Sequence, residues 1–399
     1  MDKTSTIRRR LLGALLAGGA AAAAPRLAFA GNARAGDSRF VMVILRGGMD
    51  GLFAVPAIGD TDFAAARGPL AQFAEPVLKL DAVFALHPAL AQTHAMYGRG
   101  EAMVVHAVGL SYRERSHFDA QQVLESGGTR PFELSTGWLG RALGPVSTRS
   151  IALSTTVPLV LRGNAHVDTW APSSLPDPSA DLVARLERLY GNDTALATAL
   201  ARAKALHFDA SMMAEMASGA EAGKGGRNGA FVVLAKQAAD FLSQSSGPRA
   251  AVLELGGFDS HANEAAPNGA TTNALRQLDA GLAALREGLI AGQAWRHTVV
   301  VVATEFGREV AVNGTMGTDH GSGGAAFVIG GAVKGGRVVA DWPGLAKRDR
   351  FEGRDLRTTT DLRAVLKGVL GDHLQVAGRA LDADVFPGSA GLRTLAVLA

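Results

Sequence analysis

The chain has 399 residues and not one of them is cysteine. That excludes disulfides, thiolate zinc sites, cysteine-held iron–sulfur clusters and a cysteine nucleophile. Any metal site must be assembled from Asp, Glu and the ten His. An excess of charge of one sign is also missing from the body of the chain. Residues 1–30 carry Lys3, Arg8, Arg9, Arg10 and Arg26 against Asp2, a balance of +4, so the remaining 35 basic and 36 acidic residues balance at −1. A near-neutral body offers nothing to attract nucleic acid or an anionic membrane, and no nucleic-acid partner is expected. Long apolar runs are absent too: Leu11–Ala24 falls short of the ~20 residues that span a bilayer, and no later run matches even that, so no transmembrane span is expected in the mature chain. The loop Gly47-Gly48-Met49-Asp50-Gly51 lacks the G-x-G-x-x-G spacing of a dinucleotide site, which sets aside a nicotinamide oxidoreductase.

What is present begins with an export signal. Arg8-Arg9-Arg10 precedes the Ala-rich run Leu11–Ala24, followed by Pro25 and the small-residue pattern Ala28-Phe29-Ala30. Paired arginines before a weakly hydrophobic segment resemble a twin-arginine signal, which implies the twin-arginine translocation machinery as a partner and a periplasmic or secreted destination. Residues 1–30 are read as that signal and 31–399 as one domain, with an insertion expected at about 130–245.

Within the body, apolar runs at 40–45, 102–108, 251–255, 298–303 and 325–329 are bounded by glycine and read as strands buried on both faces. Helical periodicity fills the gaps, as at 181–190, 230–242 and 274–289. Residues 192–228 read as helix followed by a flexible loop. Strands alternating with helices give an α/β fold with a mainly parallel sheet.

In such sheets ligands gather at the carboxyl ends of the strands, and polar residues follow these runs repeatedly. Asp50 follows the first, Ser111–Asp119 the second, Asp259-Ser260-His261 the third and Glu305-Phe306-Gly307-Arg308 the fourth. Asp319-His320 precede the fifth. Carboxylates and imidazoles in this recurrence suit a divalent ion: Zn, Mn, Mg or Ca. Each has a plainer alternative: Asp50 as a turn residue, Glu305 paired with Arg308, and Asp319-His320 as a solvated loop. Ser116 opens a helix, where it acts as a cap or as a nucleophile activated by the helix N-terminus. Arg113 and Arg115, just before it, are placed to grip an oxyanion. His87, His94, His106, His166, His207, His297 and His373 read as structural.

The motifs Leu45–Leu52, Arg115–Gln121, Gly256–His261, Thr304–Arg308 and Thr318–Gly324 together resemble the alkaline phosphatase–sulfatase superfamily, and more closely an uncharacterised twin-arginine-exported branch of it. The resemblance implies a three-layer α/β/α architecture. By position, Asp50 resembles the superfamily's first ligand, Ser116 its nucleophile, Asp259 and His261 its Asp…His element, and His320 its final His. Glu305 stands where an Asp-His pair would begin, with Asp319 a further ligand. Two departures stand out. His261 follows Asp259 by two residues rather than four, and Phe306 after Glu305 leaves a second metal short of a ligand. The implied function is a metal-dependent hydrolase of phosphate or sulfate esters acting on a small-molecule ester. The alternative is a non-catalytic exported binding or assembly protein that meets an exported partner on the same scaffold.

If the paired arginines direct export, Arg8→Lys with Arg9→Lys holds the folded protein in the cytoplasm, as cell fractionation would show. Cleavage is expected after Ala30, and N-terminal sequencing checks it.

Overall fold

A computed structural model describes residues 37–144, 148–173, 178–204 and 229–398. The signal reading at 1–30 and most of the 192–228 segment lie outside the described residues, although 194–204 are helical. Asp37–Ala399 form a single compact unit.

The five apolar runs are all strands. They are β1 (Arg39–Leu45), β4 (Ala102–Gly109), β7 (Ala250–Leu255), β8 (Thr298–Thr304) and β9 (Gly324–Ile329). Between the first two, the short strands β2 (Leu78–Lys79) and β3 (Ala85–Leu86) pair antiparallel with each other, away from the main sheet. Four further short strands extend the main sheet: β5 (Arg149–Ala152), β6 (His166–Thr169), β10 (Arg337–Val339) and β11 (Thr360–Asp361). The order is β10-β4-β9-β8-β1-β7-β5-β6, with β11 beside β4. Within this main sheet all pairings are parallel except those of β9, which runs against both β4 and β8. The segment 130–245 thus supplies two strands, β5 and β6, at one end of the sheet.

Period-2 alternation divides the strand residues between two cores. Val41, Val43 and Leu45 of β1, with Val300 and Val302 of β8, face α7 (Ala230–Ser243) and α8 (Ala270–Ala291) through Phe231, Leu275, Leu278 and Leu282. Phe40, Met42 and Ile44, with Val299 and Val301, face α4 (His117–Ser126), α5 (Trp138–Leu143) and α9 (Leu362–Asp372). The result is a three-layer α/β/α architecture with a mainly parallel sheet. Among the described residues no helix is long and apolar enough to cross a membrane.

The reversed strand β9 matters for function. Its preceding loop, which carries Asp319 and His320, starts at the same sheet edge where β1, β4, β7 and β8 end, so all these loops share one rim. Away from the rim, His106 in β4 is fully buried: its Nδ1 accepts from Ala107 N at 2.8 Å and its Nε2 lies 2.9 Å from Val55 O. His373 closes the end of α9 against Arg39 O at 2.8 Å.

Burial holds both imidazoles neutral, at about 4 rather than the ordinary 6.5. The unfolded chain therefore takes up these protons first as pH falls. Their contribution is complete above about pH 6.5 and is lost toward pH 4, at up to about 1.4 kcal/mol per pH unit for each His. His373→Gln should flatten the fall in urea-unfolding free energy between pH 6.5 and 4.5.

Candidate metal centre

The rim is closed by turns that only glycine permits. Gly47 (φ 112°) and Gly48 (φ 64°) follow β1, and a Cβ on Gly47 would lie 2.5 Å from Asp259 N. A Cβ on Gly48 would lie 2.5 Å from the Phe306 ring. The turns after β1, β7 and β8 can therefore pack backbone against backbone. Into this junction projects Arg308, whose side chain is fully buried. Its Nε donates to Gly48 O at 2.7 Å, and its Nη1 to Thr318 O at 3.1 Å. Its Nη2 donates to Phe258 O at 3.1 Å, to Asp259 Oδ1 at 2.6 Å and to Gly47 O.

Above Arg308, three imidazoles meet. His117 Nε2 lies 3.1 Å from His320 Nε2, and His261 Nε2 lies 3.0 Å from the same atom. Asp259 Oδ1 is 3.0 Å from His261 Nε2 and 3.4 Å from both His117 Nε2 and His320 Nε2. The far nitrogen of each ring decides what these atoms are. His117 Nδ1 lies 2.8 Å from Glu305 Oε1, His261 Nδ1 3.0 Å from Asp319 Oδ1, and His320 Nδ1 2.9 Å from Arg115 O. Carboxylates and carbonyls only accept, so all three Nδ1 atoms carry hydrogen and, in the neutral rings, all three Nε2 atoms present lone pairs. Arg308 meets part of this convergence, with Nη2 bonded to Asp259 Oδ1 and Nη1 3.4 Å from His261 Nε2. The Nε2 lone pairs of His117 and His320, 3.1 Å apart, face no protein cation that the hydrogen bonds supply and repel unless one stands between them. Metal-binding histidines are oriented in this way by acceptors on their second nitrogen. Among the described residues, His117, Asp259 and His320 form the group whose donor atoms could share one ion.

The surrounding charges are tuned to the same end. Burial alone would raise Asp259, but the bond and charge of Arg308 hold it at about 2. Burial would likewise raise Glu305, yet His117 and the Gly47 N–H, 2.9 Å away, hold it at about 2. The Glu305 hydrogen bond raises His117, while burial lowers His320 against the opposing bond to the Arg115 carbonyl. Phe306 lies beneath the rings, 4.6 Å from His117 and 5.0 Å from His320 between centroids.

The sequence-predicted residues divide into several groups. Asp259, His261 and His320 face one another. Glu305 and Asp319 reach the centre from outside, as the partners of His117 and His261. Asp50 is not brought in. Its Oδ1 caps α1 (Gly51–Ala54) through Leu52 N and Phe53 N, and its Oδ2 accepts from Arg67 Nη2 at 2.5 Å. Arg67 closes the short helix α2 (Phe63–Arg67), and buried Glu264 lies close by, raised by burial and then by the charge of Asp50. Ser116 sits at the N-cap of α4 without a side-chain cap bond, and the nearby Tyr112 phenol donates to Asp119 Oδ2 at 3.1 Å. Arg113 and Arg115 are turned elsewhere: Arg113 donates to Thr358 Oγ1 at 2.7 Å, and Arg115 to Asp355 Oδ2 at 2.8 Å and Glu352 Oε2 at 2.5 Å. Arg115 instead serves through its backbone, in the left-handed region at φ 60°, where its carbonyl faces His320.

Two contributors escaped the sequence reading, His117 and the interior role of Arg308. A signal for His117 was present: Gln121 lies one helical turn on, and both side chains reach Glu305, Gln121 at 3.3 Å.

Residues 37–385 match the family described as "Protein of unknown function (DUF1501)", and the chain belongs to that family. No curated protein matches. Three solved structures show what the chain is similar to in outline. A 2-O GAG sulfatase is 10% identical, with 90% of this chain and 73% of that chain covered and a TM-score of 0.41. The lipoteichoic acid synthase LtaP from Listeria monocytogenes is 9% identical, with 88% and 76% covered and a TM-score of 0.41. The phosphonate monoester hydrolase of Agrobacterium radiobacter is 11% identical, with 85% and 74% covered and a TM-score of 0.42.

The geometry separates two variants. His117→Ala should weaken zinc binding by at least about tenfold, read by calorimetric titration. Its loss of stability should be smaller than that of a broken buried ion pair, because Glu305 keeps Gly47 N, Gln121 and Thr304 as partners. Asp50→Asn should do the reverse: it breaks a buried ion pair, at about 3–5 kcal/mol of folding stability, and leaves the zinc affinity near that of the wild type.

Proposed function

We propose that the chain is an exported, metal-dependent hydrolase of phosphate or sulfate esters. The observation that carries this reading is the convergence of three imidazole lone pairs and the Asp259 carboxylate beside the N-terminus of α4, one residue from an uncapped serine hydroxyl. His117, His320 and Asp259 would hold the ion, with His261 beside them. A donor set richer in imidazole than in oxygen favours zinc or manganese over magnesium or calcium. With Asp50, Glu305 and Asp319 each held by a partner inside the protein, the set serves one ion rather than two. When bound, the ion would neutralise charge developing on an ester oxyanion and make a neighbouring hydroxyl more acidic.

The chain's own residues supply the rest. Ser116 is the nucleophile in this reading, placed where the free N–H groups and positive end of α4 favour an anion. Asp259 and His261 are about half exposed, so an ester can approach from solvent. Arg115 holds His320 through its carbonyl, and Glu305 holds His117. Export by the twin-arginine route to the periplasm or beyond completes the proposal. It rests on the paired arginines and the Ala28-Phe29-Ala30 pattern.

One observation favours a second reading, a non-catalytic binding or assembly protein on the same scaffold. Both guanidiniums expected to grip substrate are committed to residues 352–358. In that reading the ion binds an oxyanion-bearing exported partner and turns nothing over.

The test is an aryl phosphate and aryl sulfate screen on zinc- or manganese-loaded protein. Turnover that Ser116→Ala lowers by more than about 100-fold, with metal content unchanged, is the expected result. Absence of turnover with every added divalent metal would leave only the second reading.

A further inference from the structure

A second concave site is lined in part by Ala265 and Pro267, farther along the segment that carries Asp259 and His261. It is a cavity of about 100 Å³ between α1, the segment 72–75, the turn 87–89, the loop 265–267 and the start of α8. Its floor is aromatic. Phe53 and His87 are buried, with ring centroids 4.6 Å apart, and Phe73 lies 5.7 Å from Phe53 and 5.5 Å from His87. An engineered apolar cavity of about 150 Å³ accepts benzene, so the scale is that of one aromatic ring.

The polar groups at this cavity point to the rest of the ligand. His87 Nδ1 accepts from Ala89 N at 3.0 Å, which fixes the ring hydrogen on Nε2. Burial, reinforced by the Arg276 charge, keeps this imidazole neutral, at about 4. His87, a largely buried residue, thus carries an Nε2–H donor that has no hydrogen-bond partner among the described residues and is not sealed from the cavity. Arg276, exposed at the rim, hydrogen-bonds to the side-chain oxygens of Asn268 and Asn273, at 3.4 and 3.1 Å, and makes no ion pair among the described residues. Thr272, in the first turn of the 22-residue helix α8, lines the wall, and the Gly269 cap of that helix supplies no side-chain acceptor. A donor, an unpaired cation and the positive end of a helix therefore surround an aromatic floor. Glu75, also on the lining, disfavours a ligand carrying several negative charges.

We propose that this cavity binds a small monoanionic aromatic carboxylate, its ring against Phe53, Phe73 and His87 and its carboxylate between Arg276 and His87 Nε2. The inference does not depend on the hydrolase reading, because none of the metal-centre residues lines the cavity. Recognition follows the usual division of a small-molecule site, with apolar area for affinity and a few placed polar groups for orientation. The guanidinium is suited to the planar carboxylate.

Phenylacetate titrated into the mature protein, followed by calorimetry and ligand-observed NMR, tests this. Saturable binding at millimolar Kd or tighter is expected, with benzyl alcohol at least about tenfold weaker for want of the charge. Arg276→Gln, a rim substitution that leaves the core intact, should weaken phenylacetate by at least about tenfold and leave benzyl alcohol unchanged. His87→Phe keeps the aromatic floor, removes the donor and should weaken phenylacetate as well. Absence of saturable phenylacetate binding, equal affinity for benzyl alcohol, or indifference to Arg276→Gln would overturn the proposal.

Discussion

The rim of this sheet depends on one buried guanidinium. Arg308 donates to the carbonyls of Gly47, Gly48, Phe258 and Thr318 and to the Asp259 carboxylate. It thereby ties the turns that follow β1 and β7 to the loop that precedes β9. A guanidinium with its side chain fully buried is stable only when its donors are satisfied, and here they are met by groups that would otherwise be unpaired themselves. Lysine could not substitute, because a point charge with three donors cannot reach carbonyls arrayed around a plane. The same residue fixes Asp259 Oδ1 by a bond of 2.6 Å, so the scaffold's central tie is also a determinant of the site.

The site's electrostatics follow from how its hydrogens are placed. Glu305, Asp319 and the Arg115 carbonyl engage the Nδ1 atoms of His117, His261 and His320, which turns three lone pairs inward. The Glu305 hydrogen bond raises His117, and the Arg308 guanidinium supplies positive charge to Asp259 Oδ1 from below. A divalent ion among the Nε2 atoms would relieve the repulsion that remains. Asp259 and His261 are partly exposed, so an ion held there would be open to solvent on that side.

Much of this was legible in the sequence. Continuous apolar runs such as Val299–Ala303 are readable because a strand buried on both faces has no polar positions to confuse with a helix. The short strands β5, β6, β10 and β11 were not, since two to four residues leave no periodicity to find. The recurrence of Asp, Glu and His after successive strands pointed to Asp259, His261 and His320, whose side chains the structure brings together. It failed at Asp50, because a residue that follows a strand is as well placed to cap the next helix as to bind a ligand, and Arg67, seventeen residues on, settles the matter. His117 was overshadowed by Ser116. The importance of Arg308 was invisible because a buried arginine and a surface arginine look alike in sequence. Arg113 and Arg115 depended on the distant segment 352–358, which no local pattern announces.

The central claim is that three imidazoles and Asp259 are held in readiness for one divalent cation. Anomalous scattering from crystals grown with zinc, recorded on both sides of the zinc edge, tests it most directly. The account predicts a single strong peak bonded to Nε2 of His117, Nε2 of His320 and Asp259 Oδ1. A zinc-saturated crystal with no peak among those atoms, or with its peak at Asp50, would contradict it.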